Sequence, residues 1–148
     1  MPILNIQYRD QNPDITPDIT LKIHGPTIVV LVGPATPTKE NGAIDFQGHQ
    51  TPALIDTGAG TSCIDEKLAR KLELTPIDRQ QIGGVRGKHE HLIYLGLIYV
   101  PPPLDMYSKG RFVGVDMGAA QPVLLGRDFL QSCVLIYNGT NGTISIAR

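Results

Sequence analysis

Backbone breakers constrain this chain more than any other feature. There are 16 glycines and 12 prolines among 148 residues, and they run from end to end. Both residues interrupt helices, so a bundle of long helices is excluded and many short strands joined by turns are expected. The runs between the breakers fit that reading. Thr27–Val32 is β-branched and closes on Gly33-Pro34, which predicts a strand. Pro37 to Gly42 reads as a polar turn, and Ala43–Phe46 and Gln50–Ile55 as two strands around Gly48-His49. Leu92–Val100, Arg111–Val115 and Pro122–Leu125 are further predicted strands. Val134–Tyr137 and Thr143–Ile146 flank an Asn-Gly-rich turn and predict a hairpin. The period changes at Ile64–Leu74, where Ile64, Leu68 and Leu72 fall four apart and predict a short amphipathic helix. A second short helix is expected from Arg127 to about Ser132. The fold class is therefore mostly β with two short helices.

Residues 1–26 are polar and Pro-rich, with Pro-Asp-Ile-Thr repeated at Pro13 and Pro17. They are expected to form an extended arm or edge strand, and residues 27–148 a single domain with no internal linker. The 13 basic and 14 acidic residues nearly cancel, and tryptophan is absent. Neither a basic face nor a stacking platform for nucleic acid is expected. No apolar stretch reaches membrane-span length and no signal peptide is visible, so a cytoplasmic location and no membrane partner are expected. Cys63 and Cys133 are too few for a disulfide scaffold. Lys88-His-Glu-His91 offers two histidines on one strand face, a poor metal site, so no metal or cofactor is expected.

Three motifs carry chemistry. Asp56-Thr57-Gly58-Ala59 follows the apolar Ala53–Ile55, so a strand would hold the carboxylate in place while Gly58 lets backbone approach a ligand. The triplet alone occurs by chance in about 2% of chains of this length, and an aspartate opening a turn is ordinary. Ile82-Gly-Gly-Val-Arg-Gly87 is a bendable hairpin. It lacks the following helix and Lys-Ser/Thr ending that a phosphate loop needs. Val123-Leu-Leu-Gly-Arg-Asp-Phe-Leu130 is a strand, a glycine and a helix start.

In this order and spacing, the set resembles the retropepsin-like aspartic proteases, single-domain relatives of pepsin. The resemblance spans about residues 27 to 146. It implies a closed β-barrel subunit whose Ile82–Gly87 hairpin is a flap. It implies an aspartic endopeptidase active as a homodimer on peptide or protein substrates, with Asp56, Thr57 and Gly58 catalytic. Ala59, Gly60, Cys63, Ile82, Gly83, Gly84, Val85 and Leu125 would bind substrate. None of the other acids sits in an Asp-Thr/Ser-Gly context, so the second carboxylate would come from a second copy. The chain departs from the family at Gly60, where retroviral members carry an aspartate that pairs with the arginine after the late glycine. Arg127 therefore needs another partner, and Asp128 and Asp65 are both candidates. The flap tip carries Arg86 where glycine is usual. Two other readings are a non-catalytic dimeric peptide-binding module of the same fold and a monomeric structural β-domain.

Overall fold

The β-branched run expected to make a strand does so, with its alternate side chains inward. In the computed structural model, which describes residues 1–35, 46 and 48–148, β2 (Thr27–Gly33) buries Ile28, Val30 and Val32 and leaves Val29 exposed. It pairs antiparallel with β3 (His49–Ile55), which turns Thr51, Ala53 and Ile55 inward. Pro52 lies opposite Val29 inside β3. The strand on the other side of β3, β8 (Val123–Leu125), reaches only the register of Ala53–Ile55, so the missing proline donor strands no ladder bond. The turn expected over Pro37–Gly42 and residues 43–45 of the strand expected before Gly48 lie outside the described residues.

The remaining strands are β1 (Ile3–Gln7), β4 (Cys63–Asp65), β5 (Thr75–Gly84), β6 (Gly87–Val100), β7 (Met106–Val115), β9 (Val134–Asn138) and β10 (Thr143–Ala147). A seven-stranded sheet runs β2-β3-β8-β4-β7-β6-β5, and β2 also pairs with β6 through Leu31–Gly33. A three-stranded sheet, β1-β10-β9, packs Ile144 and Ile146 into the same core. The chain is mostly β, as expected.

Three helices are short. The predicted helix at Ile64–Leu74 is confined to α2 (Glu66–Lys71), because Ile64 and Asp65 pair with β7 and β8 instead. Asp65 is extended, and its carboxylate accepts the Leu68 amide as an N-cap. α3 (Arg127–Leu130) is the second expected helix, two residues shorter. No helix was expected in the N-terminal arm, yet α1 (Pro17–His24) forms there and buries Leu21 completely. Pro17 opens it, Asp18 sits in its first turn, and Lys22 and His24 in its last, as the helix dipole favours. The β9–β10 turn lies against the start of α1: a Cβ on Gly142 would overlap the Pro17 carbonyl. Among the described residues β1 is an edge strand, paired with β10 alone. Tyr8 follows it into the core and donates its hydroxyl to the Thr27 carbonyl. Among the described residues, no helix is long and apolar enough to cross a membrane.

Candidate active site

Asp56 leaves the end of β3 beside the end of β8. The two strands run parallel, with Ile55 opposite Leu125, so the loops that follow them emerge side by side. The Asp56 amide donates to the Leu125 carbonyl at 2.9 Å, which fixes the residue's backbone. Its own carboxylate accepts the Gly58 amide at 2.8 Å. The Ala59 amide donates to the Asp56 carbonyl at 3.3 Å, and the loop closes as a tight turn. Asp56 is half-buried, while Thr57 and Gly58 are exposed. This leaves a held, half-buried carboxylate just past the end of β3.

Gly126 makes the second loop possible. A Cβ there would meet the Ala59 carbonyl oxygen and the Thr61 carbonyl carbon, each at 2.9 Å. Both are backbone atoms that cannot swing away, so glycine is required by close approach. From this position the Arg127 amide donates to the Ala59 carbonyl at 2.9 Å. The Arg127 guanidinium donates to the Thr57 carbonyl at 2.9 Å. That resolves the partner left open by Gly60: among the described residues Arg127 makes no ion pair, and neither Asp128 nor Asp65 is its acceptor. A Cβ on Gly60 would stand 3.4 Å from the guanidinium, so a side chain there would reach it.

Asp128 is occupied elsewhere. Its carboxylate accepts the Ser62 hydroxyl at 2.7 Å, the Ser62 amide at about 3.0 Å and the Phe129 amide at 2.8 Å. The Ser62 hydroxyl in turn accepts the Gly126 amide at 3.0 Å. Ser62, 2% exposed, therefore ties the two loops together. Sequence reasoning missed it, since a serine between threonine and cysteine carries no pattern. Asp65 is a buried structural acid that accepts amides from Leu68, Met117 and Gly118. Burial raises its pKa, but these bonds together outweigh that and leave it below the ordinary aspartate value.

β5 and β6 form a hairpin that turns at Val85-Arg86, with Gly84 opposite Gly87. Gly87 has φ 98°, a conformation that favours glycine. Val85 projects fully into solvent. Between this hairpin and the Asp56 loop runs a groove of ≈ 1130 Å³. Gly58–Cys63 form one wall, Ile82–Gly87 another and Ser108–Val113 a third. Ala59, Gly60, Cys63, Ile82, Gly83, Gly84 and Val85 all line it. Leu125 does not. It is wholly buried in the core, and its contribution is the carbonyl that receives the Asp56 amide. Burial pushes the Cys63 thiol up to about 11, with the Asp128 and Asp56 carboxylates adding to the effect. It is an apolar wall group and not a nucleophile. Among the described residues no cluster of side chains could hold a metal ion.

A family model described as gag-polyprotein putative aspartyl protease matches residues 43–132. The EIAV protease, solved with the inhibitor HBY-793, is 28% identical over 72% of this chain and 85% of its own, with a TM-score of 0.48. A simian foamy virus protease is 13% identical over 72% of this chain and 92% of its own, TM-score 0.47. A retropepsin-like aspartic protease from Rickettsia conorii is 13% identical over 82% of this chain and 92% of its own, TM-score 0.46. A search of curated proteins found no match.

Proposed function

The chain belongs to the gag-polyprotein putative aspartyl proteases, a retropepsin-like aspartic protease family, and we propose that it is an aspartic endopeptidase that works as a homodimer. The observation that carries this reading is the loop pair itself. Asp56 is fixed from behind by the Leu125 carbonyl, and the Gly58–Cys63 segment that follows it walls a groove of ≈ 1130 Å³ that we read as the place for an extended peptide.

The chemistry needs two carboxylates about one water apart. Charges that close do not both ionise, so the pair shares one proton and titrates as a unit. The ionised member takes a proton from the water, whose oxygen attacks the scissile carbonyl. The protonated member donates to the carbonyl oxygen. This chain has one Asp-Thr-Gly, so the second Asp56 comes from a second copy on a two-fold axis. Thr57 braces the paired loops, and Gly58, Gly83 and Gly84 offer backbone groups to the substrate. The β5–β6 hairpin acts as a flap that closes over it. Residues 27–148 form the proteolytic unit, with 1–26 as an arm packed onto it. The pairings β2-β3-β8-β4-β7-β6 return to β2, which supports a closed barrel.

Asp56→Asn is the direct test. The parent is expected to cleave peptides at acidic to near-neutral pH and to be blocked by pepstatin-like inhibitors. The variant is expected to lose at least about a thousandfold in kcat/KM, since one carboxylate type supplies both acid and base. Equal rates would refute the assignment.

A further inference from the structure

The groove beside Asp56 carries charge of nearly one sign. The β5–β6 and β6–β7 registers put His89, His91, Lys109 and Arg111 on the same face of the sheet, and that face lines the groove. Arg86 lines it from the hairpin turn. Among the described lining residues Asp128 is the one acid, and Ser62 and the Phe129 amide already occupy its carboxylate. The acids of the neighbouring strands do not offset the cations. Asp78 is paired with Arg111 at 2.9 Å, and Glu90 lies on the opposite face of the hairpin, paired with Arg79. Among the described residues neither Arg86 nor Lys109 makes an ion pair. Both histidines add positive charge in acid. Composition does not explain this bias, since the whole chain has 13 basic and 14 acidic residues. A cleft lined by one sign of charge concentrates the opposite sign and steers it inward.

The rest of the lining indicates what kind of anion fits. Ile93 and Val113, on the same face as the cations, are buried and give the groove an apolar floor. Its aromatic rings, Phe112 and Phe129, are also buried and offer no stacking platform for bases. An apolar floor among cations suits a peptide whose apolar residues are flanked by carboxylates.

We propose that the groove selects acidic peptides, in which Asp or Glu flanks the apolar residues at the cleaved bond, and that Arg86, His89, His91 and Lys109 draw them in. This rests on the proteolytic reading above and names its substrate class.

Three pools of fluorescein-labelled peptides test it, each with a randomised apolar centre flanked on both sides by Glu, Gln or Lys. Initial cleavage rates of the parent are expected to fall from Glu to Gln to Lys, with Glu at least ~10-fold above Lys. The ratio is expected to shrink at about 0.5 M salt. Lys109→Glu is expected to lower it at least ~5-fold. Lys22→Glu, the same change of net charge on exposed α1, is expected to leave it in place. Fluorescence anisotropy of the same pools with the Asp56→Asn variant reads the selection without turnover, and the same order of affinity is expected. Equal affinity for the Glu and Lys pools, or a ratio unmoved by Lys109→Glu, overturns the proposal. Competition by poly-uridylate as strong as that of poly-glutamate would show a site for any polyanion and overturn it too. Should the parent cleave none of the pools while the binding order holds, the proteolytic reading fails and the acidic preference stands. Cleavage of all three at one rate does the reverse.

Discussion

Ser62→Ala should weaken the protein far more than a serine substitution usually does. The hydroxyl makes two bonds that cross between loops distant in sequence, to the Asp128 carboxylate and from the Gly126 amide. The first is charge-assisted and worth roughly 1.5–3 kcal/mol; leaving the buried Gly126 N–H without an acceptor costs about 1–3 kcal/mol. The two losses share one atom and partly overlap, and the Ser62 amide still reaches Asp128. The net is therefore about 2–4 kcal/mol. At roughly 2.1 cal/mol/K per residue, the unfolding entropy of 148 residues converts this to a Tm fall of about 6–13 °C. Urea melts of the parent, Ser62→Ala, Asp128→Ala and the double variant would measure both the loss and the coupling. A coupling energy above about 1 kcal/mol is expected, and exposed Ser132→Ala should be near neutral. If Ser62→Ala costs under ~0.5 kcal/mol, or the two single losses simply add, the hydroxyl does not tie the loops and the reasoning fails.

Asp65 makes stability depend on acid. Its folded pKa lies below the ordinary aspartate value, so its contribution is present above that value and is lost as pH falls through the lowered one. Asp65→Asn, which mimics the protonated acid, is expected to be less stable than the parent by about 1–2 kcal/mol at pH 7, a gap that narrows as pH falls below the ordinary aspartate range. A gap in urea midpoint that stays constant across that range would contradict this. With its thiol pushed up to about 11, Cys63 should react with iodoacetamide at pH 7.5 about 100-fold more slowly than a free thiol. Mass mapping of the labelled protein reads this directly, and labelling at the rate of glutathione would show the side chain to be open and unperturbed.

Much of the fold was legible because its signals are local. Ile28, Val30 and Val32 alternate, Asn138–Gly142 spells a turn, and breakers bound most strands. Asp56 and its groove neighbours were legible through the order of three motifs. What stayed hidden is tertiary. β5 is almost wholly exposed and polar, so nothing in its side chains announces a strand; pairing with β6 makes it one. Ile64 and Asp65 have helical spacing, but β7 and β8 claim them first. α1 carries a Pro17 start and a basic end, yet its buried stripe is little more than Thr20 and Leu21, too narrow to register as a period. The acceptor of Arg127 is a backbone carbonyl 70 residues away, and no side-chain pattern encodes a carbonyl. Leu125 looked like a pocket residue because its place in the motif says nothing about which way its side chain turns.

The parallel pairing of β3 with β8 has a consequence in time. Parallel neighbours cannot be joined by a tight turn, and here the two strands are separated by most of the domain. Contacts of such long sequence separation form late, after the entropy of closing the intervening loop has been met. A ribosome-bound chain that has not yet released residues 123–128 therefore lacks the Leu125 carbonyl, the Gly126 amide and the Arg127 and Asp128 side chains that hold the Asp56 turn and Ser62 in place. Asp56 is synthesised well before the residues that hold its turn, so a half-made copy carries the motif without its geometry.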